Sequence, residues 1–258
     1  MVRHEHQTPS YTIDLSIGLS SYPLSDKSIC TRSTVSASCN NKIRAMKVGI
    51  IGSGTVGKTL AKGFFKHGYS VMIGARDKNT LLEWSKSKGM GIAAGSFAQV
   101  ATHGDFLVLA VKGECAKDAL ALCKESDLRH KLIIDTTNPI DSKRKPVNGV
   151  LPFFTDLNLS LMEILQTAYP NTYFVKAFNS VGSDLMVNPV LEHKPSMFIC
   201  GNHSESKART AAILDLFGWE VEDMGMMEAA RAIEPLCMLW CISGFRNETW
   251  KHALKLVR

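Results

Sequence analysis

Residues 47–77 read KVGIIGSGTVGKTLAKGFFKHGYSVMIGARD: an apolar run, then Gly52, Gly54 and Gly57 at GxGxxG spacing, a helical pattern, and a second apolar run. Glycines at that spacing are a weak signal alone. Between a strand and a helix they constrain the chain to a βαβ unit. Gly52 permits the tight turn, Gly54 lets backbone approach a pyrophosphate, and Gly57 lets helix pack close on strand. The start of that helix presents free N–H groups to an anion. Leu60, Ala61 and Phe64 repeat at helical spacing, His67 falls in the last turn and Gly68 offers the stop.

The end of the second strand selects the nucleotide. An acid there accepts hydrogen bonds from a ribose 2′-hydroxyl and repels a 2′-phosphate. Here the strand ends Ile73-Gly74-Ala75, and Arg76 follows with a guanidinium suited to bidentate phosphate contact. NADP is therefore expected over NAD. Asp77 is the competing signal and reads better as the N-cap of a helix containing Leu81 and Leu82.

Further apolar runs at 106–111, 132–135, 173–178 and 197–200, with a shorter one near Ile92, predict strands separated by helical patterns. One helix is expected from an N-cap at Ser204 to Gly218, and two more over 228–242 and 246–257. The fold class implied is α/β, a Rossmann-type doubly wound, largely parallel sheet with C-terminal helices. Ligands of such sheets gather at the carboxyl ends of the strands, so Val111, Lys112, Asn138 and Pro139 should approach the ribose and nicotinamide. Asn179 marks a third edge.

Composition limits the alternatives. The longest apolar runs are far short of the roughly 20 residues a membrane-spanning helix requires. A net charge of +6 suits an anionic ligand but is spread too thinly for nucleic acid, with only Lys143, Arg144 and Lys145 clustered, as in a solvated loop. Seven cysteines without a CxxC pair suggest neither a disulfide framework nor a zinc site and fit a reducing compartment. Cys237 and Cys241 read as buried small residues. The six histidines after Met46 lack metal-ligand spacing and read as surface or loop residues, and no nucleophile with its base can be picked out, so no catalytic or metal residue is expected.

Residues 1–45 hold nine Ser, four Thr, five basic and three acidic side chains without apolar periodicity, and are expected to be a disordered or targeting extension. A transit peptide, a misplaced start or a plain tail would each read this way; the location expected is cytoplasmic, or organellar if the leader targets. Residues 46–258 form the expected NADP-binding domain, its nucleotide half over about 46–140 and its second half over about 141–258.

The blocks MKVGIIGSGTVGKTLA, IGARD, DTTNP, FVKAFNSVG, FICGN and EAARAIEPLCMLW resemble, in order, the NADP oxidoreductases dependent on the deazaflavin coenzyme F420 and the cytosolic domain of the STEAP metalloreductases. The likeness spans about residues 46–245; pyrroline-5-carboxylate reductases are similar over the N-terminal half only. The resemblance implies that Ser53, Gly54, Thr55 and Val56 hold the pyrophosphate, that Ala75 and Arg76 face the 2′-phosphate, and that Asn138 and Ala177 lie along the nicotinamide. Ala75 stands where STEAP proteins usually have serine, which removes a hydroxyl contact. The sequence ends at Arg258 without the haem-bearing transmembrane domain of STEAP proteins, so electron passage across a membrane is not expected of it alone. GFRNETWKHALKLVR reads as an amphipathic helix burying Trp250, Leu254 and Val257 in the core, or alternatively in a homodimer surface.

The expected function is hydride transfer between NADP(H) and a small-molecule acceptor, F420 or a flavin (FAD or FMN). A nucleotide-binding module that senses NADPH without turnover is the alternative, as is a pyrroline-5-carboxylate reductase-like enzyme for another small molecule. Flavin reduction needs no protein acid or base, because the cofactors carry the chemistry.

Overall fold

The structure, a computed structural model, describes residues 45–77 and 79–258. The expected extension over 1–45 lies outside these residues but for Ala45. The glycine-marked segment folds as β1 (Lys47–Ile51), α1 (Thr55–Lys66) and β2 (Ser70–Gly74). There follow α2 (Asn79–Ser87), β3 (Ala93–Gly95), α3 (Phe97–His103), β4 (Phe106–Leu109), α4 (Ala116–Ala121), α5 (Glu125–Leu128), β5 (Leu132–Asp135), α6 (Leu161–Ala168) and β6 (Tyr173–Lys176). The six strands make one parallel sheet in the order β3-β2-β1-β4-β5-β6. The order reverses between β1 and β4, which opens a crevice at their carboxyl ends.

Alternation along each strand builds two cores, one per face. Val48 and Ile50 of β1, and Phe106 and Val108 of β4, pack with Leu60 and Phe64 of α1. Ile51, Leu107 and Leu109 point the other way, onto Val100 of α3 and Leu120 of α4. All of these side chains are withdrawn from water, each stabilising the fold by about 1.5 to 3 kcal/mol relative to exposure. Serine caps with reciprocal glutamine or glutamate contacts begin α3 at Ser96 and α6 at Ser160.

The second half adds β7 (Ser196–Ile199), α7 (Ser204–Leu216), β8 (Glu220–Asp223) and α8 (Ala230–Asn247). β7 and β8 form a separate parallel pair, joined to β6 by an antiparallel bridge between Lys176 and Cys200.

Several sequence expectations change. His203, not Ser204, caps α7, its ring Nδ1 accepting from the Ser206 N–H. The β4 and β6 runs stop at Leu109 and Lys176, freeing the following residues for loops at the crevice. Glu220–Asp223 had no apolar pattern, yet it is a strand, because β7 supplies its ladder and Lys255, Arg258 and Lys207 pair with its acids. The two terminal helices are one, α8, which Glu248 ends with a left-handed φ of 52°. Residues 248–258 then run as a strap. The Leu254 carbonyl accepts from Ser196 N–H, Leu256 N–H donates to Ser196 Oγ, and Trp250 covers Gly244. Those contacts replace the helical burial expected of this stretch, and Val257 stays 80% exposed. Cys237 is buried as expected, whereas Cys241 is half-buried.

Candidate functional site

The turn after β1 is set by close approach. Gly52 adopts φ +132°, and an added Cβ would lie 2.1 Å from the Ala110 carbonyl oxygen. A Cβ on Gly57 would lie 2.1 Å from the Gly52 oxygen, so α1 can begin here only if both positions lack side chains. Gly54, the N-cap of α1, faces open space in which an added Cβ would meet nothing. No acidic residue occurs in the first turn of α1, leaving its positive end uncompensated. A pyrophosphate fits this cradle by backbone geometry and by charge.

Two adjoining cavities extend from the turn. One, of about 300 Å³, is lined by Gly52, Ser53, Gly54, Arg76, Val111 and Lys112, together with Phe97, Cys115, Asp118 and Leu122. The other, of about 360 Å³, shares Gly54, Val111 and Lys112 and continues past Thr55 and Val56 to Thr136, Thr137, Asn138, Ile140 and Ser142. Arg76 is exposed at one end and Asn138 half-buried at the other. Asp77 accepts from the Asn79 N–H at the start of α2, in keeping with a capping role. Five of the expected residues line neither cavity: Gly57, Ala75, Pro139, Ala177 and Asn179 are buried.

Asn179 therefore does not border the crevice as an exposed loop residue. Its amide Nδ2 donates to Asn138 Oδ1 at 3.1 Å and to the Ile233 carbonyl at 2.9 Å, while Asn138 Nδ2 donates to the Asn179 carbonyl at 2.7 Å. Its own Oδ1 is buried without a hydrogen-bond partner among the described residues.

Sequence reasoning missed a charged cluster beneath this wall. Lys176, Asp135 and Glu234 are buried together, with the lysine Nζ 2.7 Å from Asp135 and 2.8 Å from Glu234. A lysine inside the apolar run FVKAF was the available signal, because a charge on a buried strand requires partners. Beside it, burial pushes the Cys200 thiol up to about 12, which leaves it protonated and unreactive. Among the described residues, no group of three or more His, Cys, Asp or Glu side chains is placed to hold a metal ion, and no helix is long and apolar enough to cross a membrane.

Residues 47–139 match the family described as NADP oxidoreductase, coenzyme F420-dependent. A solved protein from Arthrobacter sp. FB24, assigned as an F420-dependent NADP-reductase, is 30% identical; the match covers 83% of this chain and all of that one, with a TM-score of 0.77. Metalloreductase STEAP3 of Rattus norvegicus is 26% identical over 196 residues, 74% of this chain and 36% of the relative, so the chain spans about a third of that protein's length. A reductive aminase from Aspergillus terreus, solved with NADPH, shares the fold at 15% identity and a TM-score of 0.58 over 79% of this chain and 63% of that one. With the glycine cradle and the fold, these matches define an NADP-dependent oxidoreductase of Rossmann type. Within that class, the chain belongs to the family of NADP oxidoreductases dependent on coenzyme F420.

Proposed function

We propose that this chain, through residues 46–258, binds NADP(H) along the two cavities and transfers hydride to a planar acceptor, a deazaflavin of the F420 type or a flavin. The observation that carries this reading is the pair of cavities that share Gly54, Ala110, Val111 and Lys112, one reaching Arg76 and the other Asn138. Ser53, Gly54, Thr55 and Val56 hold the pyrophosphate, and Arg76 meets the 2′-phosphate with two parallel donors. Ala75, buried beside Arg76, contributes backbone to that end, and Ala177 and Pro139 back the nicotinamide wall. When bound, the dinucleotide supplies the hydride. The protein's part is to orient and to exclude water. Val56, Ala110, Val111 and Ile140 give the second cavity apolar walls, against which a planar ring can stack. No protein acid or base is assigned: a bound NADPH would give up hydride and leave as NADP+, and the acceptor would take the accompanying proton from solvent. A cytoplasmic setting suits this reading, the five described cysteines being free thiols.

The test is NADPH deuterated on one face of C4, supplied with F420, FMN or FAD in turn while its near-ultraviolet absorbance is followed. The expected result is label retained at the ring carbon of reduced F420 or, with FMN or FAD, whose N5 hydrogen exchanges with water, a slower oxidation of the deuterated NADPH. Tight NADPH binding with no oxidation by any planar acceptor would refute transfer and support a sensing module.

A further inference from the structure

Lys176 closes β6 with no exposed surface. Its ammonium touches Asp135 Oδ2 and Glu234 Oε1 and donates to the Thr137 carbonyl at 2.9 Å. Burial alone would lower the lysine pKa, but the two carboxylates outweigh it and raise the pKa, so the group stays charged. Glu234 also accepts from the Leu161 and Met162 N–H groups, in the first turn of α6, at 2.9 and 3.0 Å, where the positive end of that helix favours a carboxylate.

Such a cluster is a poor way to gain stability, because apolar side chains of similar volume often serve as well or better. What it supplies is direction. Thr137 is gripped on every polar atom: its N–H and Oγ1 donate to Asp135 Oδ1 at 2.9 and 2.7 Å, and its carbonyl accepts from Lys176. The next residue is Asn138, on the wall of the second cavity, with its amide locked to Asn179. Asn179 in turn donates to the carbonyl of Ile233, the neighbour of Glu234. Between Ala177 and Asn179, Phe178 is held at φ 62° although fully buried, a backbone state that a bulky residue keeps only where its surroundings over-determine it.

We propose that Lys176 is a positioning residue for the hydride-transfer half of the cleft: through Asp135, Glu234 and the Thr137 carbonyl it fixes the 136–138 backbone, and Asn138 on it, where the nicotinamide must lie. This rests on the nucleotide reading above, and the test separates the two. The ligands are 2′,5′-ADP, which reaches only the adenosine half, and NADPH, which also fills the nicotinamide half. Both are titrated against the wild-type chain, Lys176→Met, and the charge-neutral triple variant Lys176→Met/Asp135→Asn/Glu234→Gln, which strands no buried charge if the single variant does not fold. The expected result is unchanged affinity for 2′,5′-ADP in a folded variant, with NADPH affinity and single-turnover hydride transfer each reduced roughly tenfold or more. Equal losses for both ligands, no loss for either, or failure of both variants to fold would overturn the positioning role. A wild-type chain that binds neither ligand would sink the nucleotide reading itself, and this one with it.

Discussion

Gly113 offers a measure of how closely the crevice is built. It follows Lys112 and opens the short 3-10 turn Gly113–Cys115. An added Cβ would lie 2.0 Å from the Asn138 carbonyl oxygen, 2.8 Å from its carbon and 2.9 Å from Leu161 Cδ2. Real Cβ contacts essentially never fall below 3.0 Å, so Gly113→Ala demands about 1 Å of movement. The leucine methyl can swing aside. The carbonyl cannot easily follow, because Asn138 is tied to Asn179 by two hydrogen bonds and Thr137 to Asp135 and Lys176. Overpacking should lower stability by about 1 to 3 kcal/mol. A shift of about 1 Å in the wall proposed to back the nicotinamide should slow hydride transfer on the order of 100-fold. Single-turnover NADPH oxidation measures the rate, 2′,5′-ADP titration reports the untouched adenosine half, and urea unfolding reports stability. A folded variant that transfers hydride at close to the wild-type rate would refute the assignment of the Asn138 wall to the nicotinamide.

Two further predictions concern charge. Arg76→Ala removes a charge-assisted phosphate contact worth about 1.5 to 3 kcal/mol, so NADPH affinity should fall roughly 10- to 100-fold while NADH is nearly unaffected; equal losses in parallel titrations would mean that Arg76 does not read the 2′-phosphate. Hydrogen bonding from Arg231 holds the Glu163 carboxyl at about 2, below its ordinary 4.5. A depressed carboxyl contributes stability above its unfolded pKa and loses it as pH falls toward the folded one, so this contribution should be full near neutrality and fade from about pH 5 to about pH 2. With the Arg231 side chain 40% exposed, we expect only about 1 to 2 kcal/mol from it. Urea unfolding of Glu163→Gln beside wild type should therefore show a gap at neutral pH that narrows near pH 3; a gap independent of pH would place the effect in packing instead.

The nucleotide half was legible because its constraints are local. Glycines, two apolar runs and a helical stripe sit within residues 47–77, and β1, α1 and β2 form there. The wall of the crevice was legible only as strand ends. That Asn179 is buried and braces Asn138 depends on Ile233 of α8, far along the chain. The same holds for Lys176, whose two acids come from β5 and α8. β8 was hidden because its acids erase the apolar signal. The terminal strap was misread because Trp250, Leu254 and Val257 do fall at helical spacing, while the competing contact, Ser196, is remote in sequence.

The strap and the acids of β8 share a consequence for association. The free side of β7 is closed at its start by Leu254 and at its far end by the bridge from Cys200 to β6. β8, the outer strand of that pair, carries Glu220, Glu222 and Asp223, each matched to a cation. At the other extreme, β3 is only three residues long. Short strands and charged edges deny a foreign strand the row of unpaired amides it would need. Among the described residues these two edges therefore leave a second protein little strand to pair with, and lengthening β3 or neutralising the β8 acids would enlarge what is left.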